Sequence, residues 1–529
     1  MKVRSDILRI YQSLHTWVGI CAGLLLFIGF FGGALTMFKQ PLDRWISPPS
    51  ALAQAAAPAD IDRLVSAVLA QVPAAREELT LHLTRQENVA APVSWSAGEG
   101  GHEIDLSARR WYGTLDASGK LVTHEVRPSM LSELIDMLHR TGGIPGMLGD
   151  EYVGIYVMGI AGVMYFLALV SGVILLLPTL VKDFFALRPG KNRKRFWLDA
   201  HNVIGIASLP FHIVISVTVV VFAFHDQFYD ALSGVVYRGQ PLFRPPPAQT
   251  YALDKMLPPS VLVAKVQHEA PEFAVTEMLF MGLESPRPMI RAAVSSPRHL
   301  TQGARTGYVM IHPYSGQIID HSMLPTKSEG WSALVAPFFA LHFGSYGGNL
   351  VRWAYFFFGL SGAFLFYTGN LLWVEKRRKN QNRHQPDVQQ TRNTRLMASA
   401  TVGVCLGSVA GVCLTLVAGK WLHAVDNVNT TYLTVYYTVF LASLAWAFWR
   451  GAARAAVDLL MLCALSALAI PLTSAAAALV PSLGWWAHGS AATIGVDLTA
   501  LAGALLLLYG ARLTAERIHH GPADSVWAA

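Results

Sequence analysis

The chain has 529 residues, of which 53% are apolar and 14% are charged. Soluble proteins carry about 25% charged residues, so an ordinary soluble globular protein is excluded. The formal net charge of +7 does not indicate nucleic-acid binding. The basic residues are concentrated in short segments beside apolar runs, which is the distribution that the positive-inside rule describes for membrane proteins.

Apolar runs that reach the roughly 20 residues needed to cross a bilayer predict about eight transmembrane spans. The predicted spans are residues 14–38, 152–178, 202–224, 350–373, 396–418, 431–449, 455–480 and 488–511. The sequence therefore predicts a mainly α fold, a polytopic membrane helix bundle with the lipid bilayer as its surroundings.

Lys and Arg clusters in the N-terminal segment, in residues 179–200 and in residues 375–395 predict which ends of the spans are cytoplasmic. The two long segments, residues 39–151 and 225–349, then lie on the other side of the membrane. We expect a multi-pass protein of the bacterial inner (cytoplasmic) membrane, with both termini in the cytoplasm and two domains in the periplasm.

Both long segments have the patterns of folded α+β domains. In the first, residues 61–72 show helical spacing, residues 79–83 alternate like a strand, and residues 111–122 predict a hairpin. In the second, residues 261–266 predict a helix and residues 308–319 a matching hairpin. The predicted organisation is span 1 (1–38), outer domain 1 (39–151), spans 2 and 3 with their loop (152–224), outer domain 2 (225–349), span 4 with a basic cytoplasmic loop (350–395), and a four-span C-terminal extension (396–529).

Histidines recur at matching places in the two halves. His15 opens one span in the sequence HTWVGI and His201 opens another in HNVIGI, while Leu138-His139 and Leu341-His342 each precede a span that begins outside. Each copy has two spans, so both copies enter the membrane in the same direction, and such parallel repeats are related by an axis along the membrane normal. The repeat predicts His15 and His201 at one depth, and His139 and His342 at another.

Two imidazoles facing one another at one depth are the axial ligands that a b-type haem needs. A single interfacial histidine is more often a headgroup contact or a satisfied buried polar group, but ionisable groups in membrane helices are functional candidates. The sequence has no Cys-x-x-Cys-His motif, which excludes covalent c-type attachment. We therefore expect two haem b groups, with His15, His201, His139 and His342 as iron ligands and the catalytic residues unknown.

His212 is a further candidate without a repeat partner, since its counterpart is Leu26. It follows His201 by 11 residues, which on a straight helix means about 16 Å of rise and about 20° of rotation, so both would project from one face. It could ligate a haem unsymmetrically, tune one, or hydrogen-bond within the bundle.

These motifs, together with Ser208-Leu-Pro-Phe-His212 and the outer segment Ile311-His-Pro-Tyr-Ser-Gly316, resemble those of the PepSY-associated transmembrane proteins, also called iron-regulated membrane proteins. The resemblance covers about residues 8–376. It implies two small α+β PepSY-like periplasmic domains and a similarity to siderophore-iron reductases, with haem held by His15, His139, His201 and His342 and with His212 as a further candidate. The four-span extension departs from that pattern.

The function that the resemblance implies is that of a ferric-siderophore reductase, a membrane haem oxidoreductase that passes electrons outward and reduces Fe(III) to Fe(II). No cytoplasmic segment is long enough for a flavin or nicotinamide domain, so electrons would come from a membrane quinol or a cytoplasmic donor. The alternative is a PepSY-type membrane-anchored binding or regulatory protein of secreted peptidases without redox activity. A transporter is a third possibility, but the spans carry few acidic residues.

Overall fold

The computed structural model describes residues 4–49, 60–84, 89–96, 109–149, 151–183, 186–188, 193–236, 250–296, 306–324, 327, 330–378 and 390–528. Parts of the two basic loops, residues 189–192 and 379–389, lie outside the described residues. The chain divides into two compact units. The first comprises Met1–Ile46, Leu131–His225 and Ala354–Ala529, and the second comprises Ser47–Met130 and Asp226–Trp353.

Helices dominate the described part of the chain, as the sequence predicts. In chain order they are α1 (Ser5–Thr36), α2 (Lys39–Ile46), α3 (Ile61–Gln71), α4 (Leu131–Thr141), α5 (Val153–Leu176), α6 (Leu180–Asp183), α7 (Arg193–Ala207), α8 (Leu209–Ala223), α9 (His225–Val236), α10 (Pro259–Glu269), α11 (Gly330–Phe343), α12 (Gly348–Lys376), α13 (Arg392–Trp421), α14 (Val428–Arg450), α15 (Ala452–Leu479) and α16 (Ala491–His520).

Strands occur in both units. They are β1 (Glu78–His82), β2 (Val93–Ser96), β3 (Arg110–Leu115), β4 (Leu121–Val126), β5 (Met147–Leu148), β6 (Glu151–Tyr152), β7 (Ala274–Met281), β8 (Met289–Ser295), β9 (Gly307–Ile311) and β10 (Ile318–Asp320). The pair β5–β6 forms a small hairpin in the first unit, and the other eight strands form one sheet in the second.

Seven helices among the described residues are long and apolar enough to cross a membrane, and an eighth span is present if α7 and α8 are counted as one bent span. The seven are α1, α5 with the turn that follows it, and α12 to α16. Each overlaps a span predicted from hydropathy, so the prediction of about eight spans is confirmed. The chain is a multi-pass membrane protein.

The third predicted span, residues 202–224, is not straight. Helices α7 and α8 meet at an angle of 71°, with Ser208 between them and Pro210 in the first turn of α8. Proline has no N–H to donate and its ring clashes with the carbonyl of the residue four positions earlier, so it interrupts the helix. The straight-helix relation between His201 and His212 expected from their spacing is therefore wrong.

Small residues allow close helix packing in the first unit. A Cβ atom at Gly162 of α5 would lie 2.6 Å from Val219 on α8, and one at Gly359 of α12 would lie 2.9 Å from Ala34 on α1. In the extension, Gly403, Gly407 and Gly411 of α13 all face α14. This spacing of small residues every four positions is the usual means by which membrane helices bring their backbones together.

The second unit contains one antiparallel sheet in the order β10-β9-β8-β7-β1-β2-β3-β4. The strand β1 of the first long segment pairs with β7 of the second, and α3 and α10 contribute to the same hydrophobic core. The predicted helices and hairpins are present in both segments. The sequence predicts two small domains, whereas the structure joins both segments in one sheet and one core, which removes two exposed strand edges.

Candidate functional site

Two histidines predicted to share a depth lie next to each other in the first unit. His15 of α1 and His201 of α7 have ring centroids 6.2 Å apart and ring planes at 86°. Both side chains are half-buried. The structure thus brings together one of the two pairs that the sequence predicts.

Helix α5 holds the ring of His15. Its Nδ1 donates a hydrogen bond to the carbonyl oxygen of Ala168 at 2.8 Å and lies 3.3 Å from the hydroxyl of Ser171. A Cβ atom at Gly172 would lie 3.0 Å from Cε1 of His15, so a side chain there would press on the ring. Because a carbonyl only accepts hydrogen bonds, Nδ1 carries the proton and Nε2 keeps its lone pair.

Helix α12 holds the ring of His201 in a related way. Its Nδ1 lies 3.1 Å from the hydroxyl of Thr368, which itself donates to the carbonyl oxygen of Leu365 at 2.8 Å. The Thr368 oxygen therefore accepts from Nδ1, and Nε2 of His201 again keeps its lone pair. A Cβ atom at Gly369 would lie 3.6 Å from Cε1 of His201.

The spacing of the two rings fits axial ligation of one iron. Two metal–nitrogen bonds of about 2 Å each, together with the two ring radii, require centroids about 6 Å apart, and the observed separation is 6.2 Å. Among the described residues no hydrogen bond to Nε2 of either ring is found. Gly19 and Gly205, one turn after each histidine, have no neighbouring heavy atom closer than 3.8 Å to a Cβ atom.

His139 of α4 lies at a second level of the same helix bundle. Its Nδ1 donates to the carbonyl oxygen of Gly29 at 2.7 Å. Gly29 follows His15 by 14 residues on α1, which corresponds to about 21 Å along the helix. A Cβ atom at Gly33 would lie 2.8 Å from the His139 ring, and one at Gly32 would lie 3.1 Å from its backbone nitrogen. Glycine is therefore required where α4 crosses α1.

His342 belongs to the second compact unit, near the end of α11. Its side chain is half-buried and its ring contacts that of Phe343, with centroids 5.4 Å apart. His139 belongs to the first unit, and the pairing of His139 with His342 stays a prediction.

His212 has partners for both ring nitrogens. Nδ1 lies 2.5 Å from the hydroxyl of Tyr165 and Nε2 lies 2.8 Å from the hydroxyl of Ser208, and the side chain is fully buried. The ring also packs beside Phe30 of α1, one residue beyond Gly29. Of the roles that the sequence leaves open, this geometry favours hydrogen bonding within the bundle.

Sequence reasoning missed the groups that hold the histidines. Ser171-Gly172 and Thr368-Gly369 occupy corresponding places on α5 and α12, and each pair touches one histidine of the 6.2 Å pair. A comparison of the two repeats extended into the second and fourth spans would have found them. Among the described residues no group of three or more His, Cys, Asp or Glu that could hold a bare metal ion is present.

The fold and this site define a multi-pass membrane protein that places two repeat-related imidazoles next to each other within its helices, with nearly perpendicular ring planes. A family model described as the PepSY-associated TM region matches residues 12–376. The chain belongs to the PepSY-associated transmembrane family. The match includes all five candidate histidines and ends at Lys376, before α13 to α16. The comparison with curated proteins gives no match.

Proposed function

We propose that the chain is a haem-containing reductase of the bacterial inner membrane that passes electrons outward to a ferric siderophore in the periplasm. The observation that carries the proposal is the 6.2 Å separation of the His15 and His201 ring centroids. Each ring is held by a hydrogen bond at Nδ1, which leaves Nε2 available to a ligand. A histidine pair with no cofactor has no need of this arrangement.

His15 and His201 would hold one haem b, and His139 with His342 would hold a second. Bound haem supplies a one-electron Fe(III)/Fe(II) couple, whose potential depends on its axial ligands and their surroundings. The protein would orient the imidazoles through the acceptors of Nδ1. The surrounding apolar helices would exclude water. The two levels are about 21 Å apart along α1, so an electron would cross the roughly 30 Å apolar core of the bilayer in shorter steps.

A groove at one end of α1 and α12 supports entry of electrons near His15. It has a volume of about 460 Å³ and is lined by Arg9, Lys376 and Arg377 together with Gln12, Ser13, Thr16 and Trp17. Arg377 lies 3.9 Å above the ring of Trp373, which fixes its position. An anionic cytoplasmic donor would be attracted to this groove, whereas a membrane quinol would approach from the lipid.

The proposed acceptor is a ferric siderophore, in which hard oxygen donors hold Fe(III) much better than Fe(II). Transfer of one electron reduces Fe(III) to Fe(II) and so weakens its binding to the chelator, which releases the metal. The electron comes from the donor through the haem-bearing helices, so no other reactant is consumed at the siderophore.

The first test is the cofactor itself. Protein purified in detergent from cells supplied with haem precursor should give a pyridine haemochrome of b type and a low-spin bis-imidazole spectrum. A well-folded but colourless protein would overturn the proposal and would favour a membrane-anchored binding or regulatory role.

The second test is the acceptor. Dithionite-reduced protein, freed of excess reductant, should be reoxidised by a ferric trihydroxamate chelate, with Fe(II) trapped by a colorimetric ferrous chelator. The matched gallium chelate, which cannot accept an electron, is the control. If the ferric chelate leaves the reduced spectrum unchanged while a soluble quinone oxidises it, siderophore reduction is excluded and only transmembrane electron transfer is retained.

A further inference from the structure

We infer that Ser171 and Thr368 are repeat-related positioning residues that set the tautomer, the orientation and the donor strength of His15 and His201. This inference rests on the proposed haem ligation and extends it to residues that do not touch the iron. Neither hydroxyl belongs to the histidine pattern from which the ligands are predicted.

The two hydroxyls occupy equivalent positions. The Ser171 hydroxyl, on α5, donates to the carbonyl oxygen of Leu167 at 2.7 Å. Both this hydroxyl and that of Thr368 on α12 also lie within hydrogen-bond distance of the carbonyl oxygen three residues earlier, at 3.0 Å and 2.8 Å. Those carbonyls belong to Ala168 and Leu365, and each hydroxyl is followed directly by a glycine that packs beside the imidazole. The arrangement of carbonyl, hydroxyl and glycine thus occurs twice, once at each ring of the pair.

The hydrogen bonds determine the donor and acceptor roles of the two hydroxyl groups. Each donates its proton to a carbonyl oxygen of its own helix, so each presents a lone pair to Nδ1–H of the histidine. Acceptance from Nδ1–H fixes the tautomer with the proton on Nδ1 and raises the basicity of Nε2, which is the usual effect of outer-sphere partners on ligating histidines. A more basic imidazole stabilises Fe(III) relative to Fe(II) and lowers the midpoint potential.

The two histidines differ in the hydrogen-bond acceptors that remain for Nδ1 when the neighbouring hydroxyl is removed. His15 retains the carbonyl oxygen of Ala168 at 2.8 Å when the Ser171 hydroxyl at 3.3 Å is removed. His201 has its hydrogen bond to the Thr368 hydroxyl at 3.1 Å, and the Leu365 carbonyl oxygen interacts with the ring without forming a hydrogen bond as short as the one from His15 to Ala168. Loss of Thr368 should therefore change the haem site more than loss of Ser171, an order that a purely structural role does not predict.

Buried hydroxyls of the same kind elsewhere provide matched controls. Thr415 of α13 donates to the carbonyl oxygen of Gly411 at 2.7 Å, and Ser466 of α15 donates to that of Cys463 at 3.0 Å. Among the described residues the Thr415 hydroxyl bonds within its own helix, the Ser466 hydroxyl bonds within its own helix and to the Cys413 thiol, and neither is hydrogen-bonded to a histidine. Substitution of either measures what loss of a membrane-helix hydroxyl does in general.

The experiment compares Ser171→Ala and Thr368→Val with the hydroxyl-preserving exchanges Ser171→Thr and Thr368→Ser, and with Thr415→Val and Ser466→Ala. Haem per protein, the midpoint potentials and the low-spin electron paramagnetic resonance spectrum are measured on the full chain in detergent. For Thr368→Val we expect a roughly tenfold weaker preference for Fe(III), which raises one midpoint potential by about 59 mV. Ser171→Ala should give less than a threefold change. Thr368→Ser, Ser171→Thr and both controls should keep the wild-type potentials.

The outcomes separate the inference from the proposed function. Wild-type protein without haem overturns both. Wild-type protein with haem and a Thr368→Val variant with unchanged potentials and spectrum overturns the inference alone, as does an equal shift in the Thr415→Val control. If Thr368→Val does not fold, Thr368→Ala removes the same hydroxyl with less bulk and decides the question by the same measurements.

Discussion

The family-matched part of the bundle and the C-terminal extension differ in how completely the protein satisfies the hydrogen bonds of their buried polar groups. In the extension, Lys420 is fully buried, donates to the carbonyl oxygen of Trp486 at 2.9 Å, and lies 3.7 Å above the ring of Trp45. Trp45 donates in turn to Asp497 at 2.9 Å, and Asp497 also accepts from Ser474 at 3.0 Å. These charges are therefore satisfied by neighbouring protein groups.

The protein holds His15 and His201 by one ring nitrogen each, in contrast to the Lys420 network. Their Nδ1 atoms are held by neighbouring helices, while the two ring centroids lie 6.2 Å apart and no hydrogen bond to either Nε2 is present among the described residues. Buried polar groups that the protein satisfies completely contribute to stability and to fold specificity. A pair held on one side and left available on the other is suited to a ligand. The comparison favours a stabilising role for the Lys420 network and leaves the histidine pair as the proposed cofactor site.

The largest effect should follow removal of either inner histidine. His15→Ala or His201→Ala should abolish the haem held at that level, because one axial ligand is lost, and should leave part of the haem held at the level of His139. The control is His423→Ala in the extension, whose ring contacts Trp486 and whose Nδ1 donates to a backbone carbonyl. Haem content and redox titration would decide. Equal loss in His423→Ala would break the comparison.

Removal of Trp45 should act on stability instead. Trp45 is 1% exposed and contacts both Lys420 and Asp497. Trp45→Ala should destabilise the protein by about 3 kcal/mol or more, since it creates a cavity and removes one hydrogen bond to Asp497 and the ring contact of Lys420. Trp449→Ala is the control, because Trp449 is 76% exposed on α14. Thermal unfolding in detergent is the measurement, and the haem spectrum below the transition should stay unchanged. A lost haem spectrum in folded Trp45→Ala protein would contradict this assignment.

A methyl group at Gly33 should disturb the level of His139. The added Cβ would lie 2.8 Å from the His139 ring, and overpacking of this kind costs about 1–3 kcal/mol. We expect a changed spectrum or lower occupancy of the haem at that level, with the His15–His201 level unaffected. Gly503→Ala in α16 has open space around its Cβ and should behave as wild type. Redox titration that shows two unaltered components in Gly33→Ala would argue against His139 as a ligand.

The smallest effect concerns pH and the sheet of the second unit. Glu277 of β7 faces His82 of β1 across the ladder that joins the two segments, at 3.3 Å. Burial alone would raise the pKa of Glu277, but its contact with His82 and the charges of Arg110 and Arg291 outweigh burial and hold the pKa below its usual range. The contribution to stability is therefore present at neutral pH and is lost as the pH falls through this lowered pKa.

Glu277→Gln should lower the melting temperature of the full chain at neutral pH and should remove part of its acid sensitivity below about pH 4.5. Glu516→Gln, which changes an exposed pair with Arg512 on α16, should have little effect. Melting curves between pH 7 and pH 3 test both variants. An unchanged pH dependence in Glu277→Gln would show that the cross-strand pair does not contribute.

Hydrophobic pattern alone predicts much of this fold. The helical spacing of Ile61, Leu64 and Val68 predicts α3, and all three side chains are buried in the core of the sheet unit. The hairpin predicted over residues 111–122 is formed by β3 and β4. Apolar length predicts the spans, because a helix must satisfy its own backbone hydrogen bonds in lipid. The repeat also predicts that His15 and His201 lie together.

Other features depend on contacts between distant parts of the chain. The pairing of β1 with β7 joins residues almost 200 positions apart, and any pair of strand edges with suitable faces would have satisfied the same local pattern. The angle between α7 and α8 depends on how the helix break at Pro210 is packed. Proline predicts an interruption, but its direction is decided by neighbouring helices.

The amino-acid sequence by itself determined the spans, the doubled histidine motif, the secondary structure of the outer segments and the membership of a membrane family. It did so because period, length and repetition are local properties of a chain. Only the tertiary structure decided that Ser171 and Thr368 hold the two rings, that His212 has partners for both nitrogens, and that the two outer segments share one sheet. Each depends on which helix or strand faces which, and that choice is made by packing across the whole bundle and sheet.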